Sequence, residues 1–241
     1  MFDELRHLTV SYSYVFRLLL QQVLVLGVRS MSLVLVTGIA TGTVFALQLG
    51  YGLERFGGKP YIPTIVGLAI LRELGPVLTG LLLAGRVGSG ITAELSSMAV
   101  TRQIEAVRAL GTSPIATLVL PRAIGCIIVF PVLTLLSDYV AILSAIAVSR
   151  GQFGLEPSYS VARLLQSTDL SDLTAGLIKS VVFGLGIGML GCWKGMQTQG
   201  GTREVGVSTT QVVVASCIFI FVSDVFMSKL FLSLNFFMVR T

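Results

Sequence analysis

One otherwise apolar run in this chain has a charged pair at its middle. Between Ile62 and Leu83 the only ionisable residues are Arg72 and Glu73, and Gly75-Pro76 follows closely. The run is long and apolar enough to be a membrane helix, and backbone in lipid must satisfy its own hydrogen bonds. A charge at the bilayer centre costs about 2.5–3.5 kcal/mol on insertion scales, so such groups face a bundle interior or a wet cavity. Two readings follow. Either the pair lines a pocket that something polar visits, or it is a mutual salt bridge that only pins the fold. Neighbouring helical residues point about 100° apart, which makes the second geometry awkward.

The wider composition agrees with a membrane setting. Of 241 residues, 54% are hydrophobic and 12% charged, against about 25% charged in a soluble domain. The net charge of +5 is spread over several loops. It forms no basic stripe with interleaved aromatics, which removes support for nucleic-acid binding and suits anionic lipid instead. Cys126, Cys192 and Cys217 sit in apolar surroundings without metal or disulfide spacing and read as small core residues. Residues 1–9 carry Asp3 and Glu4 and lack the basic and apolar regions of a signal peptide.

The chain is expected to be an all-α integral membrane protein forming one domain over residues 1–241. Residues 1–29 are read as an interfacial amphipathic helix, because Ser13, Arg17 and Gln21 recur every four residues with Tyr12, Tyr14 and Phe16 nearby. A true span over that segment would leave Arg17, Gln21 and Gln22 in need of partners. Residues 30–241 are read as a five-span bundle. The spans are expected near 31–53, 62–93, 118–148, 173–193 and 212–234, with Pro76 a kink site in the second and a polar loop over 149–172. Gly38 and Gly42, and the series Gly80, Ala84, Gly88, supply smooth faces for close helix packing.

Within the intervening segment 96–121, Thr101 can cap a short helix that Gly111 ends. Ile104, Val107 and Leu110 would share one side, with Arg102, Glu105 and Arg108 over the rest. Such a helix can pack on its own protein or on a partner. Basic residues favour the N-terminal side, eight (Arg6, Arg17, Arg29, Arg102, Arg108, Arg122, Lys194, Arg203) against five (Arg55, Lys59, Arg150, Arg163, Arg240). That excess places the N-terminus and the 94–122 and 194–210 segments in the cytoplasm, and the C-terminus opposite.

Catalytic chemistry finds no foothold. Gly52 to Pro60 puts Lys59 one place late for a phosphate loop and Pro60 where Ser or Thr should bind Mg²⁺. His7 is the only histidine, so neither a Ser–His nucleophile nor a metal cluster is expected, and no cofactor is assigned to this chain. Of the remaining ionisable residues in the spans, Asp138 and Asp224 read as satisfied interhelical partners and Arg86 as structural. Lys179 either snorkels or joins Arg72 in attracting an anionic headgroup.

Several stretches together resemble the MlaE-type permease family. They are Leu71-Arg-Glu-Leu-Gly-Pro-Val-Leu78, Leu83-Ala-Gly-Arg-Val-Gly88, Thr92-Ala-Glu-Leu95, Gln103-Ile-Glu-Ala-Val-Arg-Ala-Leu-Gly111, Leu177-Ile-Lys-Ser-Val-Val-Phe183 and Gly206-Val-Ser-Thr-Thr210. The resemblance runs from about Met31 onward. It implies the non-catalytic membrane subunit of an ABC transporter that moves phospholipids between inner and outer membranes and so maintains outer-membrane lipid asymmetry. It also implies a homodimer enclosing a lipid cavity, with Arg72, Glu73 and Lys179 beside that cavity. The coupling helix would dock, through Arg102, Ile104, Glu105, Val107, Arg108 and Leu110, on a cytoplasmic ABC ATPase present in two copies that binds the ATP and Mg²⁺. A STAS-domain protein and a periplasmic ring of MCE-domain proteins would complete the assembly in the bacterial inner membrane. Arg102 stands where many relatives carry an acid. The alternative from another class is an ion-coupled carrier using Glu73 and Asp224, which the lack of a repeated half disfavours.

Overall fold

The structure is a computed structural model that describes the backbone of residues 2–111 and 113–238 and the side chains of 19–111 and 113–233. Helices account for the regular structure of the described residues, and five are long and apolar enough to cross a membrane. We name them in chain order with the shorter ones between: α1 Phe2–Glu54, α2 Lys59–Val100, α3 Gln103–Ala109, α4 Ile115–Phe153, α5 Pro157–Ser167, α6 Leu170–Met196 and α7 Thr202–Met238.

Three expectations change here. The separate interfacial helix over 1–29 is not a distinct element, because α1 is unbroken through 29–31. The amphipathic pattern argued for it rests largely on side chains outside the described residues. Thr101 does not cap α3. Its hydroxyl donates back to the Ser97 carbonyl at 2.8 Å and closes the end of α2, while Arg102 starts α3 in the left-handed region at φ 58°. The polar loop over 149–172 holds α5, started by Pro157 in the first turn, where a missing N–H leaves nothing unpaired.

The second span contains two π-helical turns, Ile70–Leu74 and Ala84–Gly88. Each inserts a residue into the helical ladder, and such turns occur mostly at functional sites. The first stands directly before Gly75-Pro76, so the irregularity expected at Pro76 is a widened turn rather than a break.

By packing, the chain forms two compact units. One comprises residues 1–30, 83–130 and 181–220, the other 31–82, 131–180 and 221–241. In the second unit, Ala46 of α1, Ile62, Val66 and Ile70 of α2, and Ala141, Ala145 and Phe153 of α4 form one buried cluster. Small residues permit this closeness. A Cβ on Gly42 would overlap the Ala141 carbonyl oxygen, and one on Gly38 would press on the Ser137 carbonyl. In the first unit, Gly184 and Gly188 of α6 lie against Cys126 of α4, and Gly88 of α2 against Ile187 of α6. Gly80, Ala84 and Gly88 are all buried, as their spacing predicts.

Outside these cores, large apolar side chains such as Val36, Val132, Val225 and Phe226 are more than half exposed. A protein in water buries such groups, whereas lipid solvates them.

Close helix packing gives a direct test. Gly42→Leu forces a side chain into the α4 backbone and should destabilise by at least the 1–3 kcal/mol (about) of an overpacked core, read as lost monodisperse protein and a lower Tm in detergent. Gly52→Ala, where a Cβ meets nothing within 4 Å, should leave Tm unchanged or raise it.

Candidate functional site

Pro76 removes one helical donor, and the site is built around the consequence. Proline has no N–H, so the Arg72 carbonyl four residues earlier loses its usual partner. Lys179 of α6 replaces it: its Nζ donates to the Arg72 carbonyl at 3.1 Å. The same ammonium reaches Glu73 Oε2 at 2.6 Å, Ser228 Oγ at 2.7 Å and Asp224 Oδ1 at 2.9 Å. Ser228 donates onward to Glu73 Oε1 at 2.9 Å. Lys179 is 1% exposed, so its charge is held by protein oxygens alone. It does not snorkel.

Arg72 points elsewhere. Its Nε donates to one oxygen of Asp172 at 2.7 Å, and Nη2 pairs ionically with the same oxygen at 2.6 Å. Arg72 and Glu73 therefore do not form the mutual salt bridge weighed for them: side chains of adjacent helical residues diverge, and each finds its own partner on α6. Asp172 is buried, and its other oxygen accepts from the Asp169 N–H at 3.1 Å. This is half of a capping box at the start of α6, where a carboxylate also meets the positive end of the helix dipole. α6 comes close enough because residue 176 is glycine, since a Cβ there would overlap the Leu71 carbonyl.

Arg72, Glu73, Asp172, Lys179 and Ser228 border an open cavity of about 260 Å³, whose wall also includes Ser171, Thr174, Ala175, Phe231 and Leu232. The Arg72 and Glu73 side chains are 46% and 47% exposed, presenting opposite charges to the hollow. The five charged groups, Arg72 and Lys179 against Glu73, Asp172 and Asp224, sum to −1 when all are ionised. Any pull on a phosphate thus comes from the outward edge of Arg72, and Lys179 acts by positioning Glu73 and the α2 backbone.

The structure unites Arg72, Glu73 and Lys179, which the sequence reading singled out, and gives Asp224 the ionic partner expected of it. It adds Asp172 and Ser228, which that reading missed. The Asp169-x-x-Asp172 spacing before an apolar run is a capping signal that could have drawn attention to Asp172. No comparable pattern marks Ser228. Asp138 departs from expectation. Its buried Oδ1 lies against Gly75 and has no hydrogen-bond partner among the described residues.

The other candidate residues lie in the first unit. Ile104 is buried and Val107 half-buried, but Leu110 is exposed rather than sharing their side. Arg102, Glu105 and Arg108 are exposed, with no ion pair among the described residues. Gly111 ends the segment with φ +75°, as expected of a C-terminal glycine. The segment thus offers an uncompensated charged face with an apolar tip.

Comparison with known proteins places these features in a family context. The family model described as Permease MlaE matches residues 19–230. A probable ABC transporter permease protein of Synechocystis is 39% identical over 211 residues, 88% of this chain and 80% of the relative. One from Rickettsia typhi is 38% identical over 213 residues, 88% of this chain and 82% of the relative. The chloroplastic protein TRIGALACTOSYLDIACYLGLYCEROL 1 of Arabidopsis thaliana is 35% identical over 212 residues, 88% of this chain and 61% of the relative.

Lys179→Met should strand Glu73 and Asp224 and lower stability by about 3 kcal/mol, the low end for breaking a buried pair because Glu73 is partly solvated. Adding Glu73→Gln and Asp224→Asn should recover most of that loss in thermal melts. Equal melting of the single and triple variants would show that side-chain volume, not charge balance, sets the effect.

Proposed function

Since the chain belongs to the MlaE permease family, we propose that it is the membrane subunit of an ABC transporter whose cargo is phospholipid. The observation that carries this reading is the half-exposed Arg72–Glu73 pair beside a hollow in an otherwise apolar, multi-pass protein. A phosphodiester can take donors from the outward edge of the Arg72 guanidinium, while acyl chains lie along Phe231, Leu232 and the apolar helix faces. The plant relative's name, which contains a diacyl glycolipid, supports a lipid cargo here. A hollow of about 260 Å³ suits a headgroup rather than a whole diacyl lipid. A second copy of the chain, closing over the same face, would supply the remaining volume.

In this account the energy comes from partners. The permease relatives imply an ATPase, and the charged face of α3 with exposed Leu110 is the surface on which it would dock. Two ATPase copies, a STAS-domain protein and a ring of MCE-domain proteins complete the proposed assembly in the bacterial inner membrane, with the N-terminus cytoplasmic and the C-terminus periplasmic. Closure of the ATPases on ATP would move the two α3 segments and the α2 helices joined to them, shrinking the shared cavity and displacing lipid toward or from the outer membrane. The ion-coupled alternative fares less well on the geometry. Glu73 and Asp224 are both counter-ions of one buried lysine, so neither is a free proton acceptor.

Arg72→Ala in an assembled complex should lower lipid transfer about tenfold, the loss of one charge-assisted contact, with fewer phospholipids retained by mass spectrometry. Transfer at the normal rate would refute the headgroup role. Glu105→Ala and Arg108→Ala should leave ATP hydrolysis in place while transfer falls. Normal transport per ATP in both would refute docking through α3.

A further inference from the structure

A hollow larger than the Arg72 pocket lies elsewhere in the protein. It measures about 750 Å³ and lies within the first unit, between residues 21–30 of α1 and residues 86–94 of α2. Among the described residues, its polar lining is Gln21, Gln22, Arg29, Ser30, Arg86 and Glu94. Arg86 sits in the second π turn, which re-aims side chains relative to a regular helix.

The charges are unevenly matched. Glu94 is claimed by Arg122, whose buried side chain donates to it at 2.7 Å and also donates to the Leu118 carbonyl at 2.6 Å. Ser30 is likewise occupied, donating to the Leu26 carbonyl at 2.7 Å. Arg29 and Arg86 are left exposed with no ion pair among the described residues. With Glu94 neutralised by Arg122, two arginines face one cavity, giving a local charge of +2 among the described residues. Two like charges lining one cavity repel each other, and a shared anion relieves that repulsion.

We propose that this cavity is a second phosphate-binding site, taking the phosphodiester of a phospholipid headgroup between Arg29 and Arg86. A planar guanidinium fork matches two oxygens of a tetrahedral anion, a donor geometry that arginine provides and lysine does not. The Gln21 and Gln22 amides add neutral donors suited to ester or headgroup oxygens. Leu24, Val25 and Ile91 give the same cavity apolar wall for the first carbons of the chains. The site shares no residue with the Arg72 pocket and sits in the unit that carries α3. It would therefore register lipid at the end of the protein that meets the ATPase.

Gly90 supplies a clean test, because it lines the cavity and a Cβ there meets nothing within 4 Å. Full-length protein, stripped of lipid in detergent, is titrated with a short-chain phosphatidylglycerol and separately with inorganic phosphate. Arg29→Gln and Arg86→Gln should each weaken the lipid by about tenfold or more, and Gly90→Leu should do the same by filling the space while the protein melts normally. Inorganic phosphate should bind far more weakly than the lipid. Lipid affinity unchanged in both arginine variants and in Gly90→Leu would overturn the proposal, as would phosphate binding as tightly as the lipid. The readout is equilibrium binding, so it stands apart from whether the Arg72 pocket supports transport.

Discussion

A buried ammonium group completing a helix that proline has left unfinished is the interaction on which the rest of the site depends. Pro76 withholds one N–H from the Arg72 carbonyl, and Lys179 supplies a donor from another helix. A lysine that is 1% exposed must have its charge answered locally. Glu73 and Asp224 provide that answer, so helices α2, α6 and α7 are tied at one point. With Lys179 thus engaged, Glu73 has a fixed orientation and Arg72 is directed to Asp172. The π turn, the ion network and the hollow thus meet at one place on a membrane helix.

Close approach is the second requirement. Glycines at 38, 42 and 176 bring backbones together where any side chain would strike a carbonyl oxygen. Without Gly176 in particular, α6 would stand too far from the π turn for Lys179 to reach across. Lipid offers helices little hydrophobic reason to associate, so tight van der Waals packing and interhelical polar contacts carry the assembly.

Much of this was legible in the sequence because its signals are local. Apolar runs of membrane length marked all five spans, and the intramembrane charges marked Arg72, Glu73 and Lys179. The pairing of those charges was not legible, because it depends on which helix faces which and no periodicity records that. Asp172 was hidden in what read as a polar loop, although its spacing from Asp169 carries a capping pattern. The start of α3 was misplaced because Thr101 satisfied its hydroxyl on the preceding turn, leaving Arg102 to adopt a left-handed conformation that side chains seldom favour. The two π turns have no one-residue signature, although Pro76 marked the neighbourhood of the first.

The most direct test is an experimental density map of the assembled transporter in lipid, inspected around residues 72, 73 and 179. The account predicts headgroup density within hydrogen-bonding distance of the outward edge of Arg72, with Lys179 still held by Glu73 and Asp224. Solid side-chain packing over Arg72, with no hollow and no lipid phosphate beside it, would contradict it.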